Sequence, residues 1–126
     1  MPSGIRYLLD TNYILGLLKA SSRVTEDAAS RSLLTEQCTC SVITRMELLG
    51  YPGITDAEAQ LIRQKLSKLT VWPLSEAIEE RTIRLRQTRK IKLPDAIIAA
   101  TATEYRLELL TFDQKLTAVM ATIAKR

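Results

Sequence analysis

Short apolar runs alternate with longer stretches whose apolar residues recur at helical spacing. Ile5-Arg6-Tyr7-Leu8-Leu9 gathers aliphatic and aromatic side chains over five residues and reads as a short buried strand, closed by Asp10-Thr11-Asn12. Ile14, Leu15, Leu17 and Leu18 predict a helix from about Tyr13 to Lys19, and polar Ser21-Ser22-Arg23 predicts a turn. Thr25-Glu26-Asp27 resembles a helix start, with Ala28, Ala29, Leu33 and Leu34 continuing its apolar face and the two helices forming a hairpin. A second strand is expected at Thr39 to Ile43, after which Thr44 opens a helix that Gly50-Tyr51-Pro52-Gly53 stops.

The clearest amphipathic helix follows Thr55, with Leu61, Ile62, Leu66 and Leu69 on one face and Arg63, Gln64, Lys65 and Lys68 on the other. Its apolar stripe suits packing on a sheet and is also a candidate docking or dimer surface. Thr70 to Leu74 reads as an edge strand because Pro73 cannot donate to a ladder. Ser75 caps a helix to about Arg89, with Ile78 and Leu85 inward and the arginines outward. Pro94 fits a helix first turn, and Ala96 to Ala102 is apolar on nearly every side, which predicts a centrally buried helix. Leu109-Leu110-Thr111 forms a last strand ending near Asp113, and Leu116 to Ala124 is compatible with helix or mixed structure, with no final strand evident from Val119 to Arg126. Strands separated by one or two helices imply a three-layer α/β/α sandwich with a mostly parallel central sheet, a single domain spanning residues 1–126.

Composition narrows the chemistry. A chain of 126 residues with 46% hydrophobic content can bury one real core. Its apolar runs all fall below the roughly 20 residues of a bilayer span, and the stretch from Met1 to Arg6 lacks the features of a secretory signal, so a cytoplasmic protein is expected. With no His and two Cys, a four-ligand zinc site within one chain is excluded, as are imidazole-based triads. Cys38 and Cys40 would share one face of a strand and read as small packing residues. Carboxylates remain as the obvious reactive groups.

Four of them stand at equivalent places. Asp10 and Asp113 each follow a strand, Glu47 lies early in the helix after a strand, and Asp95 starts the buried helix. Ligands of open α/β sheets bind at the carboxyl ends of the strands. Each has a local explanation too: Asp10 suits an N-cap, Glu47 completes a capping box with Thr44, Asp95 is favoured by the helix dipole, and Asp113 could shape a turn. Jointly those explanations weaken, because four like charges at one edge raise one another's pKa unless a cation compensates. Hard oxygen donors without His or Cys suit Mg²⁺ or Mn²⁺, and the implied chemistry is phosphoryl transfer by an activated water.

A formal charge of +4, from 18 Lys+Arg against 14 Asp+Glu, is compatible with a polyanionic partner without demanding one. The excess concentrates in Arg81, Arg84, Arg86, Arg89, Lys90 and Lys92, just before Asp95. With Glu76, Glu79 and Glu80 upstream, the same residues equally describe a solvated helix face, which spacing alone slightly favours.

Leu8-Leu9-Asp10-Thr11-Asn12, Ser41-x-x-Thr44-x-x-Glu47-Leu48-Leu49, Leu93-Pro94-Asp95 through Ala102, and Leu109-Leu110-Thr111-Phe112-Asp113 together resemble a PIN domain, in order and over nearly the whole chain. The chain is most similar to the VapC group of small PIN-domain toxins, Mg²⁺-dependent ribonucleases neutralised by a VapB antitoxin. That resemblance implies an RNA substrate, Mg²⁺ or Mn²⁺ held by Asp10, Glu47, Asp95 and Asp113, polar support from Thr11 and Thr111, and a VapB-type partner whose helix covers apolar surface, with a homodimer expected. On this reading Arg84, Arg86, Arg89, Lys90 and Lys92 contact RNA phosphates. The sequence departs from the family pattern at Phe112, a place often polar in relatives, and at Leu116, where an aromatic is frequent. A non-catalytic PIN-fold module for RNA or protein binding is the alternative. Phosphoaspartyl chemistry ranks below both, since Asp10-Thr11-Asn12 lacks a D-x-D-x-T arrangement.

Overall fold

A computed structural model describes residues 4–124; Met1 to Ser3, part of the stretch read against a secretory signal, and Lys125 and Arg126 at the end lie outside the described residues. Strands β1 (Tyr7–Leu9), β2 (Cys38–Ser41), β3 (Thr70–Trp72) and β4 (Glu108–Leu110) form one sheet in the order β3-β2-β1-β4. Every pairing is parallel: Tyr7 sits opposite Cys38 on one side and Glu108 on the other, and Thr39 opposite Thr70. Parallel neighbours require crossovers, and six helices supply them, α1 (Thr11–Leu18), α2 (Ser22–Ser30), α3 (Val42–Leu49), α4 (Asp56–Leu66), α5 (Glu76–Thr88) and α6 (Leu93–Glu104), while α7 (Gln114–Ala124) follows the last strand. β3 is the edge strand that Pro73 implies.

The period-2 pleat of β1 divides the core in two. Tyr7 and Leu9 face a cluster with Tyr13, Ile14, Val24, Leu48, Leu66 and Leu110, while Leu8 faces Ile78, Leu85, Ile97, Ile98 and Leu116 on the other side. Cys38 and Cys40 both join the first cluster as free, buried thiols, so their shared face is packing surface. Burial pushes the Cys38 thiol up to about 11 and Cys40 to about 12, which makes both unreactive at neutral pH. On the second side, Ala96, Ala99 and Ala100 are fully buried in α6 and let α5 approach closely. Helices cover both faces, which is the expected three-layer sandwich.

Local chemistry moves some boundaries. α3 begins at Val42, earlier than Thr44, because the Ser41 hydroxyl accepts the Ile43 N–H and caps it. β2 accordingly stops at Ser41. α2 begins at Ser22 because Ser21 caps it by accepting from Val24 N, so the expected turn shrinks to residues around Ala20, whose φ is +54°. That helix also ends sooner than its apolar pattern suggests, at Ser30, and a 3-10 turn at Thr35–Gln37 carries the chain into β2. Ser75 caps α5 as expected, and α4 starts where expected, after Thr55, with a reciprocal Thr55–Glu58 box as its cap. The segment from Leu116 onward is wholly helical to Ala124, with Leu116, Val119, Met120 and Ile123 turned to the second cluster. Among the described residues no helix is long and apolar enough to cross a membrane.

Close packing of α1 on α2 gives a stability prediction. Gly-to-Ala in a helix ordinarily gains about 1 kcal/mol, but a Cβ on Gly16 would stand 2.4 Å from Cγ2 of buried, β-branched Val24. Gly16→Ala should therefore lose stability by about 1–3 kcal/mol in urea unfolding, the usual cost of overpacking. A gain would mean that the two helices part freely.

Candidate active site

Because the strands are parallel, their carboxyl ends open on one edge of the sheet, and chain segments leaving that edge carry the acidic residues. Asp10 follows β1 directly. It is 5% exposed and caps α1, its Oδ1 accepting the Tyr13 N–H at 2.7 Å while Oδ2 accepts the Thr111 hydroxyl at 2.5 Å. Capping is thus real, but it uses one oxygen, and the other is held by a residue 101 positions away. Burial raises the Asp10 pKa, the Thr111 and Tyr13 bonds oppose that rise, and the charges of Asp113 and Glu47 add to it.

Glu47 does not close a box with Thr44, since Ser41 is the cap and Thr44 is fully buried inside α3. Instead Glu47 Oε1 accepts the Thr11 hydroxyl at 2.6 Å, and Thr44 Oγ1 lies 3.1 Å from that same Thr11 oxygen. Thr11 at the start of α1 thereby fixes a carboxylate on α3. Asp95, half-buried in the first turn of α6 behind Pro94, is raised by burial and then by Asp113, Glu47 and Asp10, with Lys92 opposing. Asp113 is exposed and caps the start of α7, its Oδ1 accepting from Lys115 N at 2.8 Å and Leu116 N at 3.1 Å. The turn explanation for Asp113 therefore holds alongside any other role.

The charges of Asp113 and Glu47 act on both Asp10 and Asp95, so the four carboxylates lie near one another at this edge. Among the described residues no three of them are placed to hold a metal ion together. Asp10, Glu47 and Asp113 each spend oxygens on internal donors, and only hard oxygen donors are present. That donor chemistry matches Mg²⁺ or Mn²⁺, which keep waters and take few carboxylates.

Beside Asp95 and Asp113 runs an open cleft of about 830 Å³ lined by Arg86, Lys90, Lys92 and Lys115. The basic run is split. Arg84 and Arg89 instead line a second groove, of about 480 Å³, together with Arg81, whose guanidinium pairs with Glu104 at 2.6 Å. Arg89, the extended residue ending α5, donates to Thr88 and Thr122. The five basic candidates therefore do not form one surface with the acidic cluster; three of them adjoin it. Sequence reasoning passes over Lys115, which stands alone in sequence, and over Thr44, whose buried hydroxyl has a plain signal only in its Ser41-x-x-Thr44 spacing. It also passes over the packing around Phe112, described below.

The chain matches the family model for the PIN domain over residues 7–121. A toxin–antitoxin complex from Klebsiella pneumoniae contains a chain 37% identical, with a TM-score of 0.76 over 89% of this chain and 90% of that one. VapBC-1 from nontypeable Haemophilus influenzae gives 26% identity and a TM-score of 0.74 over 94% of each chain. FitAcB from Neisseria gonorrhoeae, at 24% identity and a TM-score of 0.73 over 91% and 93%, shares the fold. No curated protein matches by sequence. A family match from the first strand into the last helix, with a 37% identical relative of the same fold over most of both chains, means that the chain belongs to the PIN-domain family.

Proposed function

We propose that this chain is a divalent-metal-dependent endoribonuclease and the toxin of a toxin–antitoxin pair. The carrying observation is the coupled set of Asp10, Glu47, Asp95 and Asp113 at the carboxyl edge of the sheet, beside a basic cleft. Asp10, Glu47 and Asp95 would hold the principal Mg²⁺ or Mn²⁺ or its waters, and Asp113 would help hold that ion or a second. Such an ion supplies a water of lowered pKa and charge stabilisation for the scissile phosphate and the leaving oxygen.

The remaining roles belong to the chain. Thr111 orients Asp10 and Thr11 orients Glu47 by the hydrogen bonds they donate. Arg86, Lys90, Lys92 and Lys115 offer cations along the cleft for phosphodiester oxygens. Arg84 and Arg89 reach RNA only where the strand extends to their own groove.

For partners we assign an antitoxin of the VapB type and a second copy of the chain. Support for the antitoxin comes from the toxin–antitoxin complex that holds the Klebsiella relative. An apolar groove of about 390 Å³, lined by Leu17, Leu33, Leu66 and Leu69, lies where α1, α2 and α4 meet and suits an amphipathic helix. Leu61 on α4 is 48% exposed, so the amphipathic helix does not spend its whole apolar stripe on the sheet.

The test is cleavage of a mixed RNA pool by the purified chain. Products should appear with Mg²⁺ or Mn²⁺ and vanish in chelator. Undiminished cleavage in chelator would sink the metal mechanism. Absence of cleavage, with calorimetry showing no divalent binding, would leave the non-catalytic module in its place.

A further inference from the structure

Thr111 and Asp113 sit on a turn between the end of β4 and the start of α7, and the residue between them is Phe112. Its half-buried ring stacks on Tyr13, with centroids 5.7 Å apart and planes 22° from parallel. On the ring lies the Arg23 guanidinium, 4.1 Å from the centroid. Three segments distant in sequence thus meet: the first turn of α1, the first turn of α2 and the turn carrying two site residues.

Tyr13 is a fixed base for this stack. Its N–H is tied to Asp10 at 2.7 Å and its hydroxyl to Asp27 at 2.6 Å. Asp27 is held by Arg31 at 2.8 Å, and Arg31 also pairs with Glu108 at 2.8 Å. The hydrogen bonds of the turn itself are mostly internal: Thr111 Oγ1 accepts Asp113 N–H, and Asp113 accepts from Lys115 and Leu116. They shape the turn but do not anchor it. Its side-chain anchors to the rest of the site are the Thr111 bond to Asp10 and the ring of Phe112.

We propose that Arg23, Phe112 and Tyr13 form a positioning clamp that holds the Thr111–Asp113 turn against Asp10. This rests on the ribonuclease reading for its consequence in catalysis, but the clamp itself is a property of the fold. Arg23 is exposed and closes the clamp from outside. A cation over a ring at an exposed site adds little to global stability, whereas a misplacement of about 1 Å among reacting groups can cost about 10²-fold in rate. Stability and rate should therefore separate.

Arg23→Gln removes the cation and keeps most of the stem; Phe112→Leu keeps an apolar contact and removes the ring face; Arg23→Lys retains the charge. For the first two we expect amide exchange at Asp113 to quicken about fivefold or more, with the unfolding temperature unchanged for Arg23→Gln and lowered for Phe112→Leu, whose ring also packs on the first core cluster. We also expect kcat for RNA cleavage to fall about tenfold with KM within twofold of wild type. Arg23→Lys should recover most of both losses. Unchanged Asp113 exchange overturns the clamp, and so does a rise in KM at constant kcat, which would make Arg23 a direct RNA contact. If the unsubstituted chain cleaves nothing while Arg23→Gln still quickens Asp113 exchange, the clamp stands and the ribonuclease reading falls.

Discussion

Asp10→Asn should reduce RNA cleavage by about 10³-fold or more while leaving the protein folded. The substitution isolates charge from structure. Asn Oδ1 can still accept the Tyr13 N–H that begins α1, and the Thr111 hydroxyl can rotate to accept from the new amide nitrogen. Ala at the same place would remove the cap, at a cost of about 1 kcal/mol, and leave buried groups unpaired, so it could not tell a catalytic loss from a folding one. Asp10 is the most buried of the four carboxylates, and burial is the largest cause of its raised pKa. Neutralising it should hold or increase the unfolding temperature. Far-UV circular dichroism, a thermal melt and a cleavage gel on the same preparation check the prediction. Cleavage within tenfold of wild type would take Asp10 out of the chemistry.

Asp95→Asn should lose activity to a similar degree and gain stability in a pH-dependent way. The folded protein holds the Asp95 pKa above its ordinary 3.8, first by burial and then through Asp113, Glu47 and Asp10. A carboxyl whose folded pKa is raised favours folding while it is protonated in both states. That favour is complete below the ordinary value and is lost as the pH climbs through the raised one. The metal-free wild type therefore carries a penalty at pH 8 that Asp95→Asn lacks, and the two converge near pH 3.5. Relief of burial and of like-charge crowding should raise the Tm of Asp95→Asn above that of the wild type at pH 8. Melts in chelator across pH 4 to 8 read the trend directly. An equal offset at every pH would mean that the fold does not raise the Asp95 pKa, and Mg²⁺ should narrow the gap by stabilising the wild type alone.

Asp10 and Glu47 show how far the chain can be understood without its structure. Asp10 was a helix cap or a ligand on local grounds, and it caps α1 in fact; what lifts it beyond a cap is the Thr111 hydroxyl on its second oxygen. The sheet brings that hydroxyl in, because β4 pairs with β1 in parallel and both strands release their chains at one edge. Glu47 ran the other way. Its spacing from Thr44 satisfied a capping box, yet Ser41 captured the cap and left Glu47 to Thr11, 36 residues away.

The sequence by itself determined what near neighbours decide. Alternating apolar runs set the strands, the all-round apolar Ala96 to Ala102 demanded a buried helix, and Ser75 and Thr55 marked helix starts by chemistry that acts within one turn. Absence of His left carboxylates as the reactive groups, and their order carried the family resemblance. Tertiary structure alone decided what depends on strand order and helix packing. It divided one basic run between two grooves, turned the one-sided face of α7 onto the second core cluster, and drew Lys115 toward Asp95. It also set Arg23 over Phe112, a contact across 89 positions of sequence. No periodicity encodes such a pair, because periodicity reports which residues share a face of one element, and this contact joins faces of different elements that only the closed fold brings together.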